Sequence, residues 1–337
     1  MNNALVSAIS AIIAFLVTAL LGIILVPFLH KLKFGQTIRE EGPSWHQKKS
    51  GTPTMGGIMI ILGLLSACVL GFTLSAYIGQ TSMWENTKES CFILAGIGLS
   101  VGMGLIGFLD DYIKVVKKRN LGLTAKQKTI LQLLCTVAYL SSLALSGMST
   151  TWLPFFGDID ITSGVGLIFW PIALLFVYGF TNAVNLTDGI DGLASTVTLV
   201  VCCGFMLASA YVGLIGTNIY ACAGAGACLG FLVWNSHPAK VFMGDTGSLF
   251  LGGLVVSLSF AIGRPIVLLA AGIVYLIEAF SVMLQVVYYK KTKKRLFKMA
   301  PIHHHFEMSG FSEERIVLLF SAVTAVGCFV ALIPIIF

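Results

Sequence analysis

The sequence predicts an all-α, polytopic integral membrane protein with ten transmembrane helices. Hydrophobic residues make up 57% of the 337 positions and charged residues only 11%, and the mean hydropathy is +0.92. Soluble globular domains carry about 25% charged residues, so water is not the main solvent of this chain. A membrane-spanning helix needs about 20 mostly apolar residues, and runs of this length between polar breaks identify the candidate spans.

Ten such runs follow one another and form a single transmembrane domain over residues 1–337. We place them near residues 4–29, 56–79, 91–109, 129–147, 164–184, 193–212, 217–235, 247–263, 266–289 and 315–336. The first run lacks a basic leader and a small-residue cleavage pattern, so we interpret it as a retained span rather than a signal peptide. The eight cysteines lie inside apolar runs without a CxxC pair, which is typical of small buried hydrophobic residues.

The basic residues indicate how the helices cross the membrane. Of the 21 lysines and arginines, all but Lys88 and Arg264 fall in the odd-numbered loops between the runs. Cytoplasmic loops collect positive charge, so we expect the odd loops in the cytoplasm and both termini outside. Topology and anionic lipids alone explain such a basic rim, although the same field would concentrate anionic substrates at that face.

Four short polar clusters fall at or beside the cytoplasmic ends of the predicted spans, and the first is DDYIK at residues 110–114. If the third helix continues through this segment, Asp110 and Lys114 share one face. A charged side chain at the bilayer centre costs roughly 2.5–3.5 kcal/mol on insertion scales, so adjacent carboxylates belong at the interface or in a wet cavity. An interfacial anchor is the alternative interpretation, but an anchor needs no second carboxylate.

The second cluster is NAVNLTDGIDG at residues 182–192, in a loop without lysine or arginine. Asp188 and Asp191 present oxygens three residues apart, and Gly189 and Gly192 let the backbone approach a bound group closely. Uncompensated acids in this pattern indicate a metal or ligand site. Aspartate and glycine also form turns and helix N-caps, but the asparagines and threonine of the segment add polar groups that a turn does not require.

The third cluster covers residues 235–248 and ends in the sequence DTGS, which begins at Asp245. This sequence resembles a capped helix start with free backbone N–H groups, which is a suitable place for a phosphate. Helix capping without any ligand is the alternative interpretation.

The fourth cluster is PIHHHFE at residues 301–307. Adjacent residues on a helix point about 100° apart, so three consecutive histidines do not form a natural tetrahedral zinc site. Hydrogen bonding to a phosphate or a nucleotide agrees better with this tract.

In this order and spacing, the clusters resemble the polyprenyl-phosphate N-acetylhexosamine-1-phosphate transferase superfamily. The DD pair and the NxxDGxDG segment belong to the whole superfamily, whereas the HHH tract and the GTPTMGG segment resemble its phospho-N-acetylmuramoyl-pentapeptide transferase branch. The matching segments extend over most of the chain: KKSGTPTMGG at 48–57, DDYIK at 110–114, NAVNLTDGIDG at 182–192, FMGDTGS at 242–248 and PIHHHFE at 301–307.

The resemblance implies a homodimer in the bacterial inner (plasma) membrane, with an active-site cleft that faces the cytoplasm and uses Mg²⁺. It implies transfer of phospho-N-acetylmuramoyl-pentapeptide from UDP-N-acetylmuramoyl-pentapeptide to undecaprenyl phosphate. The products would be lipid I and UMP, in the first membrane step of peptidoglycan synthesis. No nucleic acid is expected as a partner.

The resemblance also implies roles for individual residues. Asp245 is the expected magnesium ligand, Asp110 is expected to contact the lipid phosphate as a candidate base, and Asp111 with Asp188 is expected to support the polar centre. The other expectations are phosphate neutralisation by Lys114 and Lys126, nucleoside recognition by Lys49, Asn185, Asp191 and Phe242, nucleotide or phosphate contacts by His303 and His304, and further substrate contacts by Thr54, Asn182, Asn235 and His305.

Two other functions are possible. A sibling enzyme would use UDP-N-acetylglucosamine or another UDP-hexosamine. A transporter would use Glu278, near the middle of the ninth run, but transporters place their sites near the midplane, whereas here almost all polar chemistry lies at one face. Since the runs offer no second charge to pair with Glu278, we expect it to form a hydrogen bond between helices.

Overall fold

The structure is a computed structural model that describes residues 2–31, 51–78, 83–116 and 122–337. Within these ranges the chain forms twelve α-helices, and all but the short α9 and α11 are long and apolar enough to cross a membrane. The predicted all-α membrane fold with ten spans is confirmed. The helices are α1 (Asn2–Lys31), α2 (Gly57–Ile78), α3 (Thr87–Val116), α4 (Ala125–Leu145), α5 (Phe169–Thr187), α6 (Leu193–Val212), α7 (Ile215–Asn235), α8 (Gly244–Ala261), α9 (Leu268–Ala271), α10 (Ile273–Thr292), α11 (Ile302–Glu307) and α12 (Glu313–Ile336).

Two helices differ in extent from the predicted runs. α3 continues to residue 116, so the aspartate pair lies inside the helix and not after its end. The ninth run is interrupted, because a 3-10 turn at Pro265–Val267 and the short α9 precede Gly272, and α10 begins only after this glycine. Proline lacks a backbone N–H and glycine weakens helices, which explains why an apolar run does not form one continuous helix here.

A β-hairpin between α4 and α5 was not predicted from the sequence. Its strands β1 (Thr150–Leu153) and β2 (Gly157–Asp160) pair antiparallel, with Thr150 opposite Asp160. The side chain of Asp160 accepts a hydrogen bond from the backbone N–H of Thr162 at 2.8 Å, and hydroxyl groups of the same turn hold its pKa below the ordinary value. At the hairpin turn, Phe155 and Phe156 are exposed, as aromatic residues often are at a membrane interface.

The centre of the bundle is formed by α7 and α8. Along an apolar stretch of 18 residues in each of these helices, 89% of the residues are buried inside the protein. The corresponding share is only 22% in α5 and in α10. The outer helices expose leucine, isoleucine, valine and phenylalanine side chains. An apolar surface of this kind suits a lipid environment, in which helices associate through close packing rather than through hydrophobic burial.

Close backbone contacts place the end of α3 beside the start of α8. A Cβ atom on Gly107 of α3 would overlap the carbonyl oxygen of Asp245, and one on Gly57 of α2 would overlap the backbone of Gly247. Small residues allow helix backbones to approach in this way. The segment before α2 also pairs with the segment before α8, because the N–H of Phe242 donates to the carbonyl of Pro53 at 2.8 Å. Three helix ends therefore meet at one end of the bundle.

Candidate active site

Three carboxylates converge at the end of the bundle where α3 and α8 meet. Asp110 and Asp111 extend from the last turns of α3, and Asp245 lies in the first turn of α8. One carboxylate oxygen from each lies within 4.8 Å of the others. We call these three residues the acid cluster. The side chains of Asp110 and Asp111 are 5% and 3% exposed, whereas that of Asp245 is 19% exposed, so Asp245 is the member most open to solvent.

Two lysines bind the acid cluster. The Nζ of Lys114 lies 2.6 Å from Asp110 Oδ2 and 2.9 Å from Asp245 Oδ2, and the Nζ of Lys128 lies 3.0 Å from the same oxygen of Asp245. Lys114 is one helical turn beyond Asp110, which confirms the predicted shared face. Lys128 reaches the cluster from the beginning of α4, where Thr124 and Gln127 form a capping box.

Two further oxygens of the cluster accept hydrogen bonds from α8 and α5. Asp111 Oδ2 accepts the backbone N–H of Thr246 at 2.9 Å and its hydroxyl at 2.7 Å, so α3 supplies the cap of α8. The N–H of Thr246, which the sequence indicated as a possible phosphate donor, is therefore engaged by Asp111. Asn185 Nδ2 donates to Asp245 Oδ1 at 2.8 Å, and this contact brings the end of α5 into the site.

The donor set of the acid cluster fits a divalent cation. Carboxylate oxygens are the ligands that Mg²⁺ prefers, and this cluster offers one from each of three residues. With all side chains ionised, three carboxylates and two ammonium groups give a net charge of −1. A divalent cation would reverse this charge and make the site attractive to phosphate groups.

Asp188 follows the last residue of α5 and faces the acid cluster from the side. Burial, together with the nearby carboxylates of Asp245, Asp111 and Asp191, raises its pKa to about 8. The carboxyl of Asp188 is therefore mainly protonated at neutral pH, and it can donate a hydrogen bond as well as accept one.

Asp191 joins three segments that are far apart in the sequence. Its Oδ2 lies 2.9 Å from Nδ1 of His237 and accepts the backbone N–H of Ala239 at 3.0 Å. Its own backbone N–H donates to Glu313, the first residue of α12, at 2.9 Å. Asp191, which was expected to recognise a nucleoside, thus fixes the loop before α8 relative to the loop after α5. His237 lies in the third polar cluster but was given no role, and Glu313 was not identified from the sequence.

Two of the residues that were expected to contact the substrate form hydrogen bonds within the protein. Asn235 is buried, donates to the carbonyl of Val241 at 2.9 Å and accepts the backbone N–H of Gly192 at 3.1 Å. Asn182 donates to Oε1 of Gln132 on α4 at 3.2 Å. Asn235 therefore shapes the loops that border the site, and Asn182 joins α5 to α4.

The three consecutive histidines occupy the short α11 and have different environments. His303 is fully buried and its Nδ1 lies 3.0 Å from Oε2 of Glu278 on α10. The expected hydrogen bond of Glu278 between helices is confirmed. His304 Nδ1 lies 2.6 Å from Glu307 Oε2, and His305 Nδ1 accepts the backbone N–H of Lys298 at 3.2 Å.

The remaining expected residues are placed as follows. Thr54 is buried next to Gly244, and Phe242 is half-buried in the segment that leads to Asp245. Lys126 is exposed near the start of α4, where Lys128 and not Lys126 reaches Asp245. Lys49 lies outside the described residues.

The contact of Lys128 with Asp245 was not predicted, because the sequence shows where α4 begins but not which of its sides faces α8. The capping box at Thr124 marks the start of α4, and two residues on a helix are separated by about 200°. Lys126 and Lys128 therefore cannot both face α8. Which side of α4 faces α8 depends on how α4 packs in the bundle, and this packing cannot be read from the local sequence.

Comparisons with known proteins identify the family of the chain. The model of glycosyl transferase family 4 matches residues 93–263, which include the acid cluster, and phospho-N-acetylmuramoyl-pentapeptide-transferase signature 1 matches residues 49–61. Curated relatives with the name phospho-N-acetylmuramoyl-pentapeptide-transferase include those of Clostridioides difficile strain 630 (45% identical over 97% of both chains), Clostridium perfringens strain 13 (46% identical over 95% of this chain and 96% of the relative) and Bacillus subtilis strain 168 (45% identical over 92% of both chains). The chain belongs to the phospho-N-acetylmuramoyl-pentapeptide-transferase family.

Proposed function

We propose that this protein transfers phospho-N-acetylmuramoyl-pentapeptide from UDP-N-acetylmuramoyl-pentapeptide to undecaprenyl phosphate, with Mg²⁺ as cofactor and with lipid I and UMP as products. The observation that carries the proposal is the convergence of three carboxylates and two lysines in a chain of this family. The basic loops support a position of this site at the cytoplasmic face of a single transmembrane domain, and the family of the chain supports the bacterial plasma membrane as its location. The resemblance to the family extends the proposal to a homodimer.

The reaction exchanges one diphosphate bond for another. An oxygen of the lipid phosphate forms a bond to the phosphorus that carries the sugar, and the bond between this phosphorus and the bridging oxygen of UMP breaks. Because both substrates are anionic, their repulsion must be overcome before they react. Lys114 and Lys128 lower this repulsion, and a divalent cation held by the acid cluster would supply additional positive charge for the leaving UMP.

Direct displacement is favoured over a covalent intermediate on Asp245. Both oxygens of this carboxylate are engaged, Oδ2 by two lysines and Oδ1 by Asn185. A carboxylate that is held in this way and also binds a metal is poorly placed to attack phosphorus. Positioning of the two substrates and neutralisation of charge can supply most of the rate enhancement in phosphoryl transfer.

Asp110 faces the lipid phosphate in this proposal. Its Oδ1 accepts the backbone N–H of Leu123 at 2.8 Å, and its Oδ2 lies 2.6 Å from Lys114. A lipid phosphate is already largely ionised near neutral pH, so the reaction has little need of a base. We therefore assign Asp110 chiefly to holding Lys114 in place, with proton removal as a secondary role.

The nucleoside is assigned to the loop after α5 and the segment before α8. Asp188 to Gly192 border this region on one side, and Phe242 offers an aromatic ring on the other. Lys49, Thr54 and the two partly exposed histidines of α11, His304 and His305, complete the proposed substrate contacts.

A UMP-release assay tests the proposal. Purified protein in detergent is given a short-chain polyprenyl phosphate and either UDP-N-acetylmuramoyl-pentapeptide or UDP-N-acetylglucosamine, with Mg²⁺ or with a chelator. We expect release of UMP from the muramoyl-pentapeptide substrate only, and only with the metal. Release from UDP-N-acetylglucosamine alone would identify the sibling activity, and release in the presence of chelator would contradict the metal assignment.

A further inference from the structure

Two buried ionisable residues lie beside the site without belonging to the acid cluster. Glu278 on α10 and His303 on α11 have no exposed surface, and Nδ1 of His303 lies 3.0 Å from Oε2 of Glu278. A carboxylate can only accept hydrogen bonds, so Nδ1 of the imidazole carries the hydrogen that is donated to it. This contact fixes the orientation of the ring, as a carboxylate partner commonly does for histidine.

The pair is not fully satisfied within the described part of the chain. Oε1 of Glu278 and Nε2 of His303 are buried and have no hydrogen-bond partner there. Buried polar atoms without partners are costly and rare, and two of them in one pair call for an explanation other than stability.

The free edge of the imidazole lies against Gly189. A Cβ atom built on this glycine would overlap Nε2 of His303 and would approach its Cε1 to 2.5 Å. Gly189 does not have a positive φ, so its backbone conformation is open to any residue. The imidazole, rather than the backbone, is therefore what requires glycine at this position.

Gly189 belongs to the loop whose other end Asp191 clamps. The backbone N–H of Asp191 donates to Glu313 at 2.9 Å, and its carboxylate holds Ala239 at 3.0 Å. The loop is thus attached at Asp191 and Gly192 and contacts the imidazole at Gly189. Asp188, which faces the acid cluster, lies directly beside this contact.

We propose that Glu278 is a positioning residue that holds the imidazole of His303 as a buried support beneath residues 188–191, and that Gly189 is glycine because this ring occupies the space of a side chain. The imidazole of His303 thereby fixes the positions of Asp188 and Asp191 when a nucleotide binds. This last step rests on the proposed function, whereas the packing of ring against loop does not.

A double-mutant cycle tests the support. Gly189→Ala is measured in the native background and together with His303→Asn, which keeps a polar group near Glu278 but removes the ring atoms that touch Gly189. The readouts are the thermal unfolding midpoint in detergent and the affinity for UMP with Mg²⁺. We expect Gly189→Ala alone to lower the midpoint and to weaken UMP binding about tenfold or more, and to have little further effect beside His303→Asn.

The matched control is Gly179→Ala, because a Cβ atom on Gly179 of α5 has no neighbour within 4 Å. This control should leave the midpoint and the UMP affinity unchanged. Equal effects of Gly189→Ala in both backgrounds would contradict the proposal that the imidazole of His303 supports the loop. If His303→Asn does not fold, His303→Ala takes its place in the same cycle.

The role of Glu278 is tested by comparing Glu278→Gln with Glu278→Ala. Glutamine retains an oxygen that can accept the Nδ1 hydrogen of His303, so we expect it to restore most of the nucleotide affinity that alanine loses. The alanine variant should raise KM for the nucleotide substrate more than it lowers kcat. An equal loss in both variants, or an effect on kcat alone, would overturn the positioning role.

The two proposals fail in different ways. If the wild-type protein released no UMP but the cycle still showed coupling in the unfolding midpoint, the proposed function would be wrong and the support would stand. If the wild-type protein were active and the cycle showed no coupling, the support would be wrong and the function would stand.

Discussion

Replacing Asp245 by asparagine changes the charge of the acid cluster and leaves its shape almost unchanged. With all groups ionised, the cluster and its two lysines carry a net charge of −1, and Asp245→Asn makes this charge zero. Lys114 and Lys128 both contact the oxygen that is neutralised, at 2.9 and 3.0 Å. The substitution therefore weakens the attraction of the site for a cation. The asparagine keeps one acceptor oxygen, which can accept from the lysines or from Asn185 but not from both.

The size of the effect follows from the distances. A pair of unit charges about 4 Å apart interacts with roughly 4 kcal/mol at an effective dielectric constant near 20. Mg²⁺ carries two charges, so this energy is a minimum. Since each 1.4 kcal/mol is a factor of ten in binding, removal of one carboxylate beside the metal should weaken Mg²⁺ binding by roughly 10³-fold or more. We expect Asp245→Asn to have no measurable turnover at Mg²⁺ concentrations that saturate the wild-type protein.

UMP release as a function of Mg²⁺ concentration measures this prediction. The control is Asp158→Asn, the same change of charge on the exposed surface of β2, far from the acid cluster. This control should keep the wild-type dependence on Mg²⁺, and thermal unfolding should show that both variants are folded. An Asp245→Asn protein with unchanged turnover and unchanged half-saturating Mg²⁺ would refute the assignment of the cluster.

Three more predictions concern the surroundings of the acid cluster. Lys128→Met should lower kcat roughly 10²-fold in the UMP-release assay because it removes a positive charge next to the leaving group, and equal activity of Lys128→Met and wild type would contradict this role. Gly107→Ala should cost about 1–3 kcal/mol through overlap with the backbone of α8, seen as a lower unfolding midpoint, whereas Gly98→Ala on the same helix has no neighbour to overlap and should not lower it. The pKa of Asp188 is raised to about 8 in the folded protein, so the folded state binds more protons than the unfolded state between the ordinary pKa and pH 8, and stability falls as pH rises through this range. Relative to Asp188→Asn, the wild-type midpoint should therefore decrease from pH 6 to pH 8 and level off above it, and parallel curves for the two proteins would show that the shift is absent.

The helices and their polar ends could be predicted because both follow from local sequence. All ten runs correspond to helices long enough to cross a membrane, and the turn that joins Asp110 to Lys114 follows from helical geometry alone. Pro265 lies in the predicted break between the eighth and ninth runs, but the interruption before Gly272, inside the ninth run, was missed. In an apolar run, hydropathy outweighed the local signal of this glycine.

The partners of individual polar groups could not be predicted in the same way. The sequence indicated that Glu278 would bond to another helix, but its partner His303 is on the six-residue α11, whose position depends on the packing of α10 and α12. Lys126 was expected to neutralise phosphate, which stays a prediction. The contact of Lys128 with Asp245 was not predicted, because the side of α4 that faces α8 is a property of the assembled bundle.

The sequence by itself determined that the chain crosses a membrane, where its polar chemistry is concentrated and which family it resembles. These properties are local, because each span must satisfy its backbone hydrogen bonds within its own helix and present apolar side chains to the lipid. Only the tertiary structure decided that the acid cluster forms, that Asp111 caps α8 and that an imidazole lies under Gly189. Such contacts depend on differences of about an ångström in how closely helix backbones approach, as at Gly107, and that distance is set by packing between residues far apart in the chain.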